Sequence, residues 1–254
     1  MNANDDTGRD HLIDAVVLAA GKGTRMKSDL PKVLHLIAGR PLLDHVLDTV
    51  EAVGIDHTVV VVGHKADLVE STCHRDGMEF VLQEPQLGTG HAVQVTVDHL
   101  RTGGYCVVLA GDVPLLRTET LKRLLDGTVA SGAAAVVLTC LVEDAGAYGR
   151  IVKDPAGRIQ KIVEARDASE AELAIGEYNS GVFCFKTDLL IEALGNLTTD
   201  NQQGEYYLTD TVAYLVGAGH PVEAVATKDP DEVVGINTVA ELAEAEQLLA
   251  RRGE

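Results

Sequence analysis

Residues 15–32 read AVVLAAGKGTRMKSDLPK, and this stretch decides the fold. The apolar run at residues 15–20 predicts a buried strand, which breaks into a glycine-rich turn at residues 21–25. Gly21 and Gly23 predict a tight turn whose backbone N–H groups can approach an anion closely. Arg25 and Lys32 place two cationic side chains near that turn. Backbone donors, little side-chain bulk and fixed cations are together what a triphosphate requires.

The spacing of this turn excludes two familiar phosphate-binding motifs. A P-loop requires glycine five residues before the Gly-Lys pair, where this chain has Val16. A dinucleotide-binding fingerprint requires glycine where this chain has Met26. A glycine-rich turn after a strand can also be purely structural, so the turn alone leaves both interpretations open.

Composition narrows the partners that this chain can have. It contains 254 residues, of which 46% are hydrophobic, so it can bury a sizeable core. Its net charge of −18 argues against nucleic acid and against an anionic membrane surface as partners, because phosphate backbones require clustered Lys and Arg. No apolar run in the sequence approaches the ~20 residues of a membrane span. We expect an acidic protein to bind phosphates through local cations and a metal.

The first residues and the cysteines indicate the cellular compartment. Residues 1–10 are polar and acidic, and we interpret them as a loose tail, not as a signal peptide. The spacing of the cysteines matches no zinc or redox motif, and three of them lie in apolar, strand-like runs. Buried thiols in a reducing cytoplasm are therefore expected. The four cysteines are Cys73, Cys106, Cys140 and Cys184.

A βαβ unit is predicted to contain the glycine-rich turn. An apolar stripe at helical spacing predicts a helix that begins at Pro41 and ends at Gly54. Residues 58–62 are β-branched, as in a parallel strand that is buried on both faces. Strand, helix and strand predict a right-handed crossover, and ligands of such sheets bind beyond the carboxyl ends of the strands.

The following part of the chain is predicted to continue the βαβ order, and the part from the hairpin onward is predicted to depart from it. A hairpin turning at residues 154–157 interrupts the βαβ order, and antiparallel pairs are expected after it. The expected architecture is α/β, with a predominantly parallel, mixed central sheet and helices on both faces. Further strands are predicted at residues 79–82, 105–110, 133–141, 151–153, 159–164 and 222–226. Further helices are predicted at residues 91–101, 118–126, 187–195 with Thr187 as the cap, 210–216, and after a capping box of Thr238 and Glu241.

Several polar residues at strand ends are candidates for a site. Asp112 follows the strand at residues 105–110, where a carboxylate can hold a divalent cation or simply start a turn. The primary amide of Gln83 can both donate and accept hydrogen bonds. Glu164 can face a pocket or be a solvated charge at a strand end. His91 is interpreted as a cap or a packing residue.

Several segments together resemble the sugar-1-phosphate nucleotidylyltransferase family. Within that family, the chain is most similar to the N-acetylglucosamine-1-phosphate uridylyltransferase domains of the bifunctional enzymes that make UDP-N-acetylglucosamine. The resemblance runs in order from about residue 13 to residue 249. The segments are LAAGKGTRM followed by LPK, QEPQLGTGHA, LAGDVPLL, YGRIV, KIVEA, EYNSGVF, GEYYLTD and VVGIN.

The resemblance implies a Rossmann-like nucleotidyltransferase fold and assigns roles by position. The positions that match nucleotide contacts are Leu18, Ala19, Ala20, Gly21, Gly23, Lys32, Gln83, Gly88 and Thr89. The positions that match sugar contacts are Gly149, Glu164, Asn179, Tyr207 and Thr209. The matching metal ligands are Asp112 and Asn237, which implies Mg²⁺. The implied catalytic residues are Arg25, Lys32 and Asp112.

The implied reaction takes UTP and N-acetylglucosamine 1-phosphate to UDP-N-acetylglucosamine and pyrophosphate. We expect one domain at residues 11–254, with a nucleotide-binding half to about residue 115 and a sugar-binding half after it. The chain lacks the hexapeptide repeats of the family's acetyltransferase β-helix, so a monomer or weak oligomer is expected. Three alternatives remain: the same chemistry on glucose 1-phosphate with UTP or dTTP, a catalytically silent sugar-nucleotide-binding module, and a dehydrogenase, which NAD(H) binding would reveal.

Overall fold

The computed structural model describes residues 11–252, so the predicted loose tail at residues 1–10 lies outside the described residues. The strands are β1 Ile13–Leu18, β2 Leu36–Ile37, β3 Arg40–Pro41, β4 His57–Val62, β5 Met78–Leu82, β6 Tyr105–Ala110, β7 Ala135–Leu141, β8 Arg150–Lys153, β9 Ile159–Val163, β10 Glu177–Lys186 and β11 Val222–Thr227. The α-helices are α1 Leu42–Ala52, α2 Ala66–Cys73, α3 Thr89–Gln94, α4 Thr118–Ser131, α5 Glu170–Leu173, α6 Thr187–Leu194, α7 Asp210–Gly217 and α8 Val239–Arg252.

The central sheet is mixed and mostly parallel, as predicted. Its strand order is β11-β7-β10-β6-β1-β4-β5, and the β8–β9 hairpin extends it from β10. β1 pairs in parallel with β4 and β6, β4 with β5, and β7 with β11. β10 runs antiparallel to both β6 and β7. The predicted hairpin turn is present, because the Gly157 N–H donates to the Asp154 carbonyl oxygen at 2.9 Å.

Alternating side chains bury both faces of β1. Ala15 and Val17 belong to the apolar core under α1, α2 and α4, whereas Val16 belongs to the core under α3, α6 and α7. A strand buried on both faces in the middle of a sheet holds its carboxyl end firmly. The glycine-rich turn that follows β1 is therefore anchored on a rigid element.

Two predicted helix ends were wrong. The helix expected at residues 91–101 is instead α3, which starts at Thr89 and ends at Gln94. The Thr96 hydroxyl donates back to the Val93 carbonyl oxygen at 2.8 Å, and the chain then tightens into a 3-10 turn. α4 continues past residue 126 to Ser131, because the left-handed cap that ends it is Gly132, with φ of 64°.

The predicted capping role of Thr187 was also wrong. β10 runs directly into α6, so Lys186 occupies the N-cap position and Thr187 is the first helical residue. The Thr187 hydroxyl is buried and has no hydrogen-bond partner within residues 11–252. The threonine packs into the core and caps nothing.

Two expectations drawn from composition concern the cysteines and the membrane. All four cysteines are buried, as predicted. Burial raises the pKa of the Cys73 thiol to about 12 and that of Cys106 well above its usual range, which disfavours the reactive thiolate. Within residues 11–252, no helix combines the length and apolar character that a bilayer crossing requires.

Candidate active site

The turn after β1 closes against Lys32. Gly23 has φ of 58°, and a Cβ at this position would lie 2.6 Å from the Lys32 Cβ atom. Gly21 is different, because its φ is not left-handed and nothing lies within 4 Å of a Cβ built there. Of the two glycines predicted to shape the turn, Gly23 is the one that the backbone requires. Gly21 leaves open space beside the turn.

A first cavity, of about 490 Å³, opens beyond the carboxyl ends of β1 and β6. Its walls bring together nearly all the residues predicted to contact a nucleotide, with Gly23 behind Lys32. This is the position expected for a ligand of a parallel sheet. The predicted residues that line the first cavity are Leu18, Ala19, Ala20, Gly21, Lys32, Gln83, Gly88, Thr89 and Asp112.

The Gln83 side chain has a fixed orientation in the first cavity. Its Nε2 donates to the Gly88 carbonyl oxygen at 2.9 Å and lies 3.1 Å from His91 Nδ1. Because a carbonyl oxygen can only accept, the amide nitrogen must face Gly88, and Oε1 is left for the cavity. The expectation that this amide both donates to and accepts from a ligand therefore changes to an acceptor role. His91 holds the amide nitrogen, in keeping with the structural role predicted for it.

Hydrogen bonds join two segments that are far apart in the sequence, QEPQLGTGHA and GEYYLTD, at the first cavity. Tyr206 N–H donates to the Leu87 carbonyl oxygen at 2.8 Å, and its own carbonyl oxygen accepts from Gly90 N–H at 2.7 Å. Gly88, with φ of 109°, permits this approach, because a Cβ there would lie 2.5 Å from the Tyr206 carbonyl oxygen. Thr89 Oγ1 accepts from the Leu208 N–H at 3.1 Å. The GEYYLTD segment therefore supports the loop that carries Gly88 and Thr89.

A second cavity, of about 470 Å³, lies on the other side of Asp112. Asp112 and Ala110 line both cavities, so the two spaces meet at the carboxyl end of β6. Arg25, which was expected beside the nucleotide, lines the second cavity instead. The other predicted residues on its walls are Gly149, Glu164, Asn179 and Asn237.

A bulge in β10 places Asn179 in the wall of the second cavity. The pairing of β10 with β7 shifts register between Asn179 and Phe183, and Gly181 has φ of 82° within the bulge. Asn179 Oδ1 accepts from the Gly181 N–H at 2.9 Å. Bulges re-aim side chains in this way at functional sites.

Glu164 is a half-buried carboxylate supported by Thr209. The Thr209 hydroxyl donates to Glu164 Oε1 at 2.9 Å. Burial raises the pKa of Glu164. The hydrogen bond from Thr209 acts in the opposite direction, and the nearby carboxylates of Asp210 and Asp167 add to the rise. Neither Thr209 nor Tyr207 lines the second cavity, and the Tyr207 hydroxyl accepts from Gln203 Nε2 at 2.8 Å. Their direct contact with a sugar stays a prediction.

We expect Glu164→Gln to melt at a higher temperature than the unchanged protein at neutral pH. The pKa of Glu164 is raised in the folded state, so the folded chain keeps a proton at a pH where the unfolded chain has lost it. The free energy of unfolding therefore falls as pH rises from about 4.3, the ordinary glutamate pKa, through the folded value. Glutamine can accept the same bond from Thr209 without that loss. Thermal melts from pH 4 to pH 8 measure the difference.

The exposed Glu143 provides the matched control for this comparison. Glu143→Gln should melt as the unchanged protein does at every pH. The advantage of Glu164→Gln should shrink as the pH is lowered toward 4. An advantage that is constant across the range would show that charge is not its cause.

The two cavities meet at a cluster of four side chains. Asp112 and Asn237 supply oxygen atoms, and Lys32 and Arg25 are cationic. Lys32 Nζ contacts the Asp112 carboxylate and lies 3.0 Å from Asn237 Oδ1. Arg25 donates to the same Asn237 oxygen at 2.8 Å. The Lys32 and Asp112 side chains are only 16% and 15% exposed. Because both oxygens face one ammonium group, both are within reach of a single cation.

The Asp112 and Asn237 oxygens fit a magnesium ion. A carboxylate oxygen and an amide oxygen are hard ligands of the kind that Mg²⁺ prefers. Within residues 11–252, no group of three or more His, Cys, Asp or Glu side chains is arranged to hold a metal. A site with two protein ligands leaves positions for phosphate oxygens and water, which is typical of Mg²⁺.

Three residues at the site have contacts that sequence reasoning did not find. Gln86 lines the first cavity and donates to the Ala20 carbonyl oxygen at 2.6 Å. Tyr148 lines the second, and its hydroxyl accepts from the Gly235 N–H at 3.3 Å. Glu241, predicted only as part of a capping box, also lines the second cavity. Gln86 and Tyr148 lie inside the segments QEPQLGTGHA and YGRIV, but their hydrogen-bond partners are distant in sequence.

Comparisons with known proteins identify the family of this chain. Residues 15–229 match the MobA-like NTP transferase domain. The chain is 48% identical over 241 residues to the bifunctional protein GlmU of Brevibacillus brevis, and 44% identical over 239 residues to the bifunctional protein GlmU of Clostridium botulinum. Each match covers 94% of this chain and 52% of the relative. The chain therefore spans about half the length of the curated relatives it matches.

A solved structure supports the fold assignment. A crystal structure of UDP-glucose pyrophosphorylase complexed with UDP-glucose superposes with a TM-score of 0.75, covering 95% of this chain and 99% of that one. At 17% identity, this likeness shows the fold alone. Family match, fold and sequence identity agree, and the chain belongs to the MobA-like NTP transferase family of nucleotidyltransferases.

Proposed function

We propose that this chain transfers a uridylyl group from UTP to N-acetylglucosamine 1-phosphate, giving UDP-N-acetylglucosamine and pyrophosphate. The observation that carries this proposal is the meeting of two cavities at Asp112. The first has the glycine-rich turn and the Gln83 amide in its walls, and the second has Glu164 and Asn179. The identity to bifunctional GlmU proteins over nearly the whole chain supports the same choice of substrates.

The proposed reaction needs positioning and charge neutralisation, and no general base. An oxygen of the sugar phosphate is already an anion, and it attacks the α-phosphorus of UTP in line. A new P–O bond forms as the bond from the α-phosphorus to the α–β bridging oxygen breaks, and pyrophosphate leaves with that electron pair. Holding two reactants in line and neutralising charge can supply most of such a rate enhancement.

Each residue of the central cluster has a role in this scheme. Asp112 and Asn237 would hold Mg²⁺, which when bound neutralises phosphate charge between the two substrates. Lys32, which lines the first cavity, would stabilise the leaving pyrophosphate. Arg25 lines the second cavity, so it can contact the sugar phosphate as well as a nucleotide phosphate.

Hydroxyl and amide recognition would occur in the second cavity. Glu164 and Asn179 present a carboxylate and a carboxamide, and both groups bind sugar hydroxyls well. Asn179 Oδ1 is engaged by Gly181, so its amide NH₂ is the group left for a ligand. On the nucleotide side, Gln83 Oε1 would accept from the N3–H of uracil.

Pyrophosphate release tests the proposal directly. We expect rapid release with Mg²⁺, UTP and N-acetylglucosamine 1-phosphate, and little release when dTTP, CTP, ATP or glucose 1-phosphate replaces its counterpart. Fast release with another pair would retain the chemistry and replace the base or sugar assignment. No release from folded protein would favour the silent binding module. A thermal shift with NAD(H) would instead favour the dehydrogenase.

We expect Thr209→Val to raise the KM for the sugar phosphate about 3- to 10-fold, with the KM for UTP unchanged. The lost hydrogen bond to Glu164 is worth about 0.5–1.5 kcal/mol, and the carboxylate would lose its fixed position. Steady-state kinetics with each substrate varied in turn measure both constants. Thr211→Val is the matched control, because that hydroxyl donates to the Leu208 carbonyl oxygen and not to Glu164. Equal effects of both variants would contradict this role.

The remaining expectations belong to the same proposal. Residues 11–254 would act as one nucleotidyltransferase domain, with the nucleotide-binding half ending near residue 115. The protein would be a cytoplasmic monomer or weak oligomer. Analytical ultracentrifugation measures the oligomeric state.

A further inference from the structure

The candidate metal site lies close to the N-terminus of α8, which is an unfavourable place for a cation. Asn237 lies two residues before the start of α8 at Val239, and the N-terminus of a helix carries a partial positive charge that disfavours cations. The guanidinium of Arg25 and the ammonium of Lys32 already lie on the Asn237 oxygen. Another negative group is therefore needed if Mg²⁺ is to bind well at this position.

Glu241 supplies that group. Its Oε2 accepts from the Asn237 N–H at 2.6 Å and from the Thr238 N–H at 2.9 Å, and the Thr238 hydroxyl accepts from the Glu241 N–H at 3.2 Å. The carboxylate thus satisfies two backbone donors at the start of α8 and places a full negative charge against its dipole. It also lines the second cavity, so this charge is close to the site.

The same contacts fix the direction in which Asn237 points. Its Nδ2 donates to the Gly235 carbonyl oxygen at 2.9 Å, which requires the amide nitrogen on that side and leaves Oδ1 facing Lys32. The neighbouring Ile236 N–H donates to the Asp112 carbonyl oxygen at 2.9 Å. Glu241 holds the backbone at one end of this segment, and the bond to Asp112 ties its middle to the other metal ligand.

We propose that Glu241 is a positioning residue for the divalent-cation site, acting through the backbone of Asn237 and through its charge at the start of α8. This inference rests on the proposed function, because it takes Asp112 and Asn237 as the metal ligands. Glu241 does not touch the reacting atoms in this scheme. It sets the place of the Asn237 oxygen and lowers the electrostatic cost of a cation there. Residues that orient metal ligands in this way typically contribute 10- to 100-fold to metal affinity.

Binding of Mn²⁺ in the presence of UTP, measured by electron paramagnetic resonance, tests the proposal without relying on turnover. Glu241→Ala should weaken Mn²⁺ binding about 10-fold or more. Glu241→Gln keeps an oxygen that can accept both N–H bonds but lacks the negative charge, so it should bind Mn²⁺ more tightly than Glu241→Ala and more weakly than the unchanged protein. The half-saturating Mg²⁺ concentration for pyrophosphate release should move in the same order.

The chain contains a matched control in a second capping box. At the start of α5, Glu172 accepts from the Ser169 N–H at 2.8 Å, and neither residue lines either cavity. Glu172→Ala therefore removes a capping carboxylate, as Glu241→Ala does, and should leave Mn²⁺ binding unchanged. If Glu241→Ala does not fold, Glu241→Asp replaces it, because the shorter side chain cannot reach both N–H groups and should weaken Mn²⁺ binding at least about 3-fold.

The outcomes separate this inference from the function on which it rests. Mn²⁺ binding by Glu241→Ala that equals that of the unchanged protein would overturn the role of Glu241 and leave the proposed function standing. Weakening of the same size in Glu172→Ala would also overturn it, because the effect would then follow from capping in general. If the unchanged protein did not bind Mn²⁺ with UTP present, the metal assignment itself would be overturned, and this role with it.

Discussion

Lys32→Ala should lower turnover about 10²-fold or more under saturating UTP, sugar phosphate and Mg²⁺. Lys32 lines the first cavity and contacts Asp112, and its side chain is only 16% exposed, so its charge acts where water screens it poorly. Removing one preorganised group that stabilises developing charge typically costs about 10²- to 10³-fold. The charge on pyrophosphate grows as the α–β bond breaks, so the loss should appear in kcat more than in the KM for UTP.

Lys122→Ala is the matched control for the loss of a lysine that contacts an aspartate. Lys122 contacts Asp126 on the surface of α4, neither residue lines either cavity, and the Lys122 side chain is 59% exposed. This variant should turn over at the normal rate. Near-full activity in Lys32→Ala would refute the leaving-group role. A melting temperature that falls with activity would instead assign the loss to unfolding, so both variants are melted alongside the assay.

The first half of the fold could be predicted from local pattern. The segment after Pro41 has a helical period, and the apolar run before Gly21 and the β-branched run that ends at Val62 have the length and composition of buried strands. Together they allow few arrangements. The structure places β1, α1 and β4 as predicted. Because a strand that is buried on both faces lies inside the sheet, the edge at which its carboxyl end lies could be predicted as well.

Element ends were less predictable, because they depend on single side chains whose partners lie elsewhere. α4 was predicted to end near residue 126, yet it continues to Ser131, and the backbone becomes left-handed at Gly132. Thr187 has the residue type of a cap, but burial in the core turns its hydroxyl away from that role. In both cases tertiary packing overrides a local preference.

In the candidate site, too, some features could be predicted from the sequence, and others depend on folding. Candidate residues such as Gln83 and Asn179 could be named from the sequence because the segments around them resemble motifs of a known family. The hydrogen bonds of the Gln83 amide, of Glu164 and of Glu241 could not, because each depends on a partner brought close by folding. The sequence therefore offers candidate residues for the site, and the direction in which each group points comes from the folded structure.

Asp112→Asn should lower turnover about 10²- to 10³-fold and weaken Mn²⁺ binding in the presence of UTP. The substitution keeps the shape of the side chain and removes the negative charge that both Lys32 and a divalent cation need. Asp112 lies in the walls of both cavities, so the loss of its charge should affect both substrates. The fold should survive, because the Asp112 carbonyl oxygen still accepts from the Ile236 N–H.

A double-mutant cycle distinguishes a shared role from two separate ones. If Lys32 and Asp112 stabilise charge in the same transition state, Lys32→Ala together with Asp112→Asn should lose much less than the product of the two single losses. The same cycle on Lys122 and Asp126, with Asp126→Asn, should leave turnover unchanged in all its variants. Fully multiplicative losses at Lys32 and Asp112 would mean that the two residues act at separate points, with the lysine on the leaving group and the aspartate on the metal alone. Strong Mn²⁺ binding by Asp112→Asn would show that Asp112 is not a metal ligand. The turnover lost by this variant would then come from Lys32, whose ammonium group would no longer be held in place by the Asp112 carboxylate.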